Sequence, residues 1–120
     1  MRKKVRFLLA GLLVADVLLI GYLMYDYIQN KMKTVLNYVQ ENFNRDMSIE
    51  EIAKLCNFSE YHFMRFFKKY AGTSCLKYIN NYRLEKSAEL LKSTSSSITD
   101  ISLECGFNNL SYFNKLFKSK

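Results

Sequence analysis

The stretch Ser48-Ile49-Glu50-Glu51-Ile52-Ala53-Lys54-Leu55-Cys56-Asn57-Phe58 decides the fold, because it returns as Ser97-Ile98-Thr99-Asp100-Ile101-Ser102-Leu103-Glu104-Cys105-Gly106-Phe107. The offset is a constant 49 residues. A serine cap, two isoleucines, an acidic residue three places after the cap, a small residue, a cysteine, a turn residue and a phenylalanine all recur. Each has a physical role. The serine hydroxyl accepts from the backbone amide of the acidic residue, whose side chain can reach back. Ala53 and Ser102 let two helices cross closely. Asn57 and Gly106 tolerate a left-handed backbone. Phe58 and Phe107 plug the angle between the helices.

After one inserted residue the offset becomes 50, and Phe63 matches Phe113, Arg65 matches Lys115, and Phe67-Lys68 matches Phe117-Lys118. A short capped helix, a tight turn and a second helix with outward polar and basic residues make a helix-turn-helix unit, in which the second helix enters the DNA major groove. A solenoid would repeat with a fixed short period. Here one long helix separates two copies, from Thr73 or Ser74 to about Lys92, with Leu76, Ile79, Leu84, Ala88 and Leu91 as its apolar residues. At ~1.5 Å per residue it spans about 28 Å, against ~34 Å between successive major grooves on one face of DNA. Upstream, Val35, Leu36, Tyr38, Val39 and Phe43 predict an amphipathic helix over 31–43. Ser59 caps a helix to about Tyr70, closed by Ala71-Gly72. The last helix starts between Asn108 and Ser111. The fold class is all-α: two helix-turn-helix units joined by a long linker helix and preceded by an apolar N-terminal helix. Residues 1–30 form that helix, and residues 31–120 the double helix-turn-helix domain.

Composition agrees. The 120 residues include no proline and four glycines, too few turn formers for a sandwich or barrel. Residues 31–120 carry 14 Lys/Arg and 9 Asp/Glu, a net +5 that suits a polyanion. Cys56, Cys75 and Cys105 are an odd set with no closed disulfide framework and read as buried, inert thiols. His62 is the single histidine, so neither a zinc site nor a Ser-His-Asp arrangement can be assembled. No phosphate-binding loop or nucleophile elbow is present. The reading is therefore of a non-enzyme, with neither cofactor nor metal.

Residues 31–120 resemble the AraC/XylS family of bacterial transcription regulators. The resemblance rests on IEEIAKLCNFSEYHFMRFFKKYAGTS, YINNYRLEKSAELLKST and SITDISLECGFNNLSYFNKLFK. It implies sequence-specific binding of double-stranded DNA in two adjacent major grooves, a transcriptional role with RNA polymerase as a candidate partner, and work in the cytoplasm. Carried over position by position, the base-contacting residues are Tyr61, Met64 and Arg65 in the first reading helix. In the second they are Ser111, Tyr112, Asn114 and Lys115. Lys68, Lys69 and Lys118 are phosphate contacts. Arg65 suits a bidentate guanine contact and Tyr61 a thymine methyl. Met64 replaces the polar residue often found there. The alternative for Tyr61 and Tyr112 is packing between the heads, and for the three lysines a solvated helix face. Ser87 stands where the family usually has alanine. The family pattern also continues past Lys118 with a further helix and usually has a sensor domain upstream, so the chain reads as truncated.

Residues 7–25 are apolar and long enough for a bilayer span. They leave two readings, a membrane anchor or a helix that packs on a protein partner. Asp16 near the middle costs about 2.5–3.5 kcal/mol on insertion scales. Arg2, Lys3, Lys4 and Arg6 precede the stretch, while Lys31 and Lys33 follow it. That bias would place the reading domain outside the cytosol, so the expectation is a packing helix.

Overall fold

The computed structural model describes residues 2–119. Six helices follow in order: α1 Arg2–Asn42, α2 Ile49–Leu55, α3 Glu60–Ala71, α4 Cys75–Ser93, α5 Ile98–Glu104 and α6 Leu110–Lys118. No strand occurs among the described residues. The chain divides into two compact units between Lys33 and Thr34, near the change in composition. The helix expected over 31–43 is the end of α1, which runs unbroken through that division. No proline or glycine interrupts residues 22–42, and Asn30 Nδ2 donates to Asp26 Oδ2 one turn back at 3.2 Å. In the first unit, every described residue up to Tyr27 is exposed. By length and composition α1 is apolar enough to cross a membrane, its 18-residue window having a mean hydropathy of 2.3 and no buried share.

The second unit holds the repeat. Ser48 and Glu51 form a reciprocal capping box at the start of α2. Asn57 is left-handed at φ 58°. The Phe58 amide then turns back to the Ala53 carbonyl at 3.0 Å. Phe58 meets Phe66 edge-on with ring centroids 5.1 Å apart. Ile52, Ala53, Cys56, Phe63, Phe66 and Phe67 are buried, and Phe67 contacts Tyr78 of α4. The second copy repeats the turn. The Phe107 amide donates to Ser102 O at 2.9 Å, and Gly106 has φ 91°. Phe107 packs edge-on against Phe113, in a core with Leu84, Ile101 and Cys105. The capping is only half repeated: Ser97 accepts from the Asp100 amide. Asp100, one methylene shorter than glutamate, makes no return bond among the described residues.

The three cysteines are buried. Burial pushes Cys75 up to about 12 and also raises Cys105, so both stay protonated and unreactive. Ser87 is fully buried and satisfied, its hydroxyl donating to the Arg83 carbonyl at 2.8 Å.

The close of α1 is held by two clusters. Tyr38 and Arg45 both donate to Glu51 Oε2, at 2.5 and 3.0 Å, and Arg45 also donates to the Tyr38 hydroxyl. The Arg45 bond, with those from Tyr38 and the Ser48 amide, holds the Glu51 carboxyl down at about 2. On the other side, Arg83 of α4 donates from Nε to Phe43 O at 2.8 Å and from Nη2 to Arg45 O at 2.9 Å. Gly106 rests on the same place. A Cβ there would fall inside contact distance of the Phe43 carbonyl and lie 2.9 Å from Arg83 Nε.

Gly106→Ala therefore meets two obstacles and Gly72→Ala only one. Gly72 has φ 78° but open space where a methyl group would go. Urea unfolding should show a loss of about 1 kcal/mol for Gly72→Ala and about 2–4 kcal/mol for Gly106→Ala, where steric strain adds to backbone strain. Equal losses would mean that Gly106 is chosen for its dihedral angle alone.

Candidate nucleic-acid interface

α3 turns Phe63, Phe66 and Phe67 inward. This leaves Tyr61, Met64, Arg65, Lys68 and Lys69 exposed. Their spacing of three, four, seven and eight residues from Tyr61 is that of one helical face. α6 is built the same way, with Phe113 buried and Ser111, Tyr112, Asn114, Lys115 and Lys118 exposed. All ten residues expected from the sequence thus lie on the solvent sides of the two second helices.

Their surroundings differ. Arg65 Nη1 donates to the Tyr61 hydroxyl at 2.9 Å, with the guanidinium carbon 5.5 Å from the ring centroid. Lys69 Nζ sits 5.3 Å from the Tyr70 ring centroid. In the second head, the Tyr112 hydroxyl accepts from Asn80 Nδ2 of α4 at 3.1 Å, so the linker helix engages that tyrosine directly. Asn80 and Arg83 are structural partners that the sequence pattern does not single out. Their signal lay only in their polar character on a helix between two cores.

Helix ends add to the interface. Ser59 and Asn109 cap α3 and α6 by accepting from the amides of His62 and Tyr112. Lys68 and Lys69 occupy the last turn of α3, and Lys115 and Lys118 that of α6. Basic charge therefore lies at the far end of each exposed face, where it complements the helix dipole and can meet phosphate.

Residues 52–120 match a family model described as a helix-turn-helix domain. The chain is 34% identical over 89 residues to an uncharacterized HTH-type transcriptional regulator, YdeC, of Bacillus subtilis, covering 74% of this chain and 31% of that protein. It is 35% identical over 86 residues to the bifunctional transcriptional activator/DNA repair enzyme AdaA of the same organism, covering 72% of this chain and 41% of that one. Among solved structures, an AraC-type DNA-binding domain protein from Chromobacterium violaceum superposes with a TM-score of 0.70. It is 32% identical, and the match covers 76% of this chain and 81% of that one. The chain belongs to the AraC/XylS family. It spans less than half the length of the two B. subtilis relatives, 31% and 41%. The all-α double helix-turn-helix architecture read from the repeat is the AraC-type DNA-binding fold.

Within this AraC-type domain the two heads are unequally supported. α3 buries three aromatic side chains. α6 buries one, and its Phe117 and Leu110 remain 38% and 39% exposed. Local opening free energy follows buried apolar contact. Amide hydrogens of residues 111–119 should therefore exchange faster than those of residues 60–70 in a native-state exchange experiment; Lys120 lies outside the described residues. Comparable protection in both helices would mean that α6 draws support from something other than its own buried face.

Proposed function

We propose that the second unit reads double-stranded DNA in a sequence-specific way, with α3 and α6 in adjacent major grooves, and that the chain is the DNA-reading part of a transcription regulator. One observation carries this reading. Two copies of the same capped turn each present a helix whose outward face is polar and basic at helical spacing. α4, at 19 residues, spans about 28 Å, close to the ~34 Å groove repeat. The regulator names of the relatives support the same reading, of a binding module rather than an enzyme.

The heads would read differently. Arg65 offers a planar fork that fits the two acceptors of guanine. In the second head Asn114 can pair with adenine, while Lys115 is a point charge. Met64 supplies apolar contact only. Lys68, Lys69 and Lys118 would bind phosphate and fix register without reading sequence. RNA polymerase is the second partner implied by a transcriptional role.

Binding-site selection and salt titration with the full chain test the assignment. Arg65→Ala should weaken specific binding by about 1–3 kcal/mol and relax preference at one base pair. Lys68→Ala should weaken binding to all sequences alike and lower the salt slope by about one. An unchanged consensus after Arg65→Ala would show that α3 is not the reading helix.

DNA reading also fixes where the second unit must be, which is the cytoplasm. We propose that residues 7–25 do not carry it across a membrane and are covered instead by protein. Asp16 and the basic run before the stretch support this. Of two reporters fused after Lys120, one active only in the cytosol and one only outside, the first should be active. Activity of the second alone would sink both this placement and a direct transcriptional role.

A further inference from the structure

Tyr61 and Arg65 lie one helical turn apart on the exposed face of α3, and their contact is double. Arg65 Nη1 donates to the Tyr61 hydroxyl at 2.9 Å, and the guanidinium carbon lies 5.5 Å from the ring centroid. A guanidinium carries five N–H donors in one plane. The hydroxyl takes one of them. The remaining donors are left for an outside acceptor pair. Among the described residues no carboxylate pairs with Arg65. Tyr61 is 67% exposed and has no place in the core, so its ring is not needed there for packing. Its register equivalent in the second head is Ser111, which offers Lys115 no aromatic platform.

We infer that Tyr61 is a positioning residue for base readout: it holds the Arg65 fork outward and acts on recognition through Arg65, not by touching a base of its own. The inference rests on the proposed DNA reading. A long arginine side chain loses rotamer freedom when it binds, and holding it beforehand removes part of that cost. The effect falls on discrimination at the base pair that Arg65 reads.

The test uses the full chain in mild detergent, with quantitative binding to duplexes varied at each position. Arg65→Ala first identifies its base pair. A good bidentate contact discriminates there by roughly 5- to 150-fold. Tyr61→Ala should lower discrimination at that same pair by about fivefold or more and cause no further loss when added to Arg65→Ala. Tyr61→Phe, which keeps the ring and loses the hydroxyl, should restore part of it. Thermal melting should confirm that these variants of an exposed residue remain folded. Relaxation at a different base pair, a full additive loss in the Arg65→Ala background, or unchanged discrimination in Tyr61→Ala would each overturn the inference. A wild-type chain with no sequence preference would instead overturn the DNA reading itself, and the inference with it.

Discussion

One guanidinium holds the DNA-binding unit together. Backbone carbonyls in the turn that follows α1 lie outside any helix ladder, and Arg83 supplies donors to two of them, reaching Phe43 O and Arg45 O across 40 and 38 residues of sequence. Burial presses the Arg83 pKa down, with Asp46 opposing. An arginine keeps its charge under such pressure where a lysine would not. The turn of the second head fits against the same carbonyl because Gly106 has no Cβ. Three parts of the chain thus meet at one side chain: the turn after α1, the linker helix and the turn of the second head.

The first head is tied to the same point by a different route. Arg45 offers its carbonyl to Arg83 and its side chain to Glu51. Glu51 in turn closes the capping box on Ser48 at the start of α2. An ion pair this exposed is screened by water and supplies little stability. Its effect is geometric, because a carboxylate bound by Tyr38, Arg45 and a backbone amide has one position. The linker adds contacts at each end, through Tyr78 to Phe67 and through Asn80 to Tyr112. Two heads that read adjacent grooves need a fixed mutual placement, and these contacts serve that need better than helix length alone.

What the sequence made legible was local and periodic. Ser48, Ser59 and Ser97 cap the helices they were expected to cap. The two turns form where the repeat placed them, with Asn57 and Gly106 left-handed. Ser74, one of the two positions read for the linker's start, is its N-cap. Ten candidate residues fell on exposed faces because an apolar stripe leaves its complement outside. What stayed hidden was long-range or pairwise. Arg83 looked like any basic residue on a helix, since nothing local marks a partner 40 residues away. The Tyr61–Arg65 contact depends on rotamers, which spacing permits but does not dictate. That the amphipathic stretch over 31–43 would be the end of one helix begun at Arg2 was also hidden, because a change in composition is not a change in backbone preference.

That continuity sets the last constraint. Residues 7–25 are apolar around nearly the whole helix and exposed, and a hydrophobic helix of that kind is stable only when covered. A Cβ added at Gly11 or Gly21 would meet nothing within 4 Å. The second unit makes the opposite demand, because its exposed lysines and Arg65 carry charge that needs water. One helix with no intervening turn serves both demands, and the turn after it carries the carbonyls that Arg83 grips. The boundary between the two demands falls inside the helix, between Lys33 and Thr34, just before Val35 and Val39 enter the core. Those two valines commit the end of α1 to the DNA-binding unit.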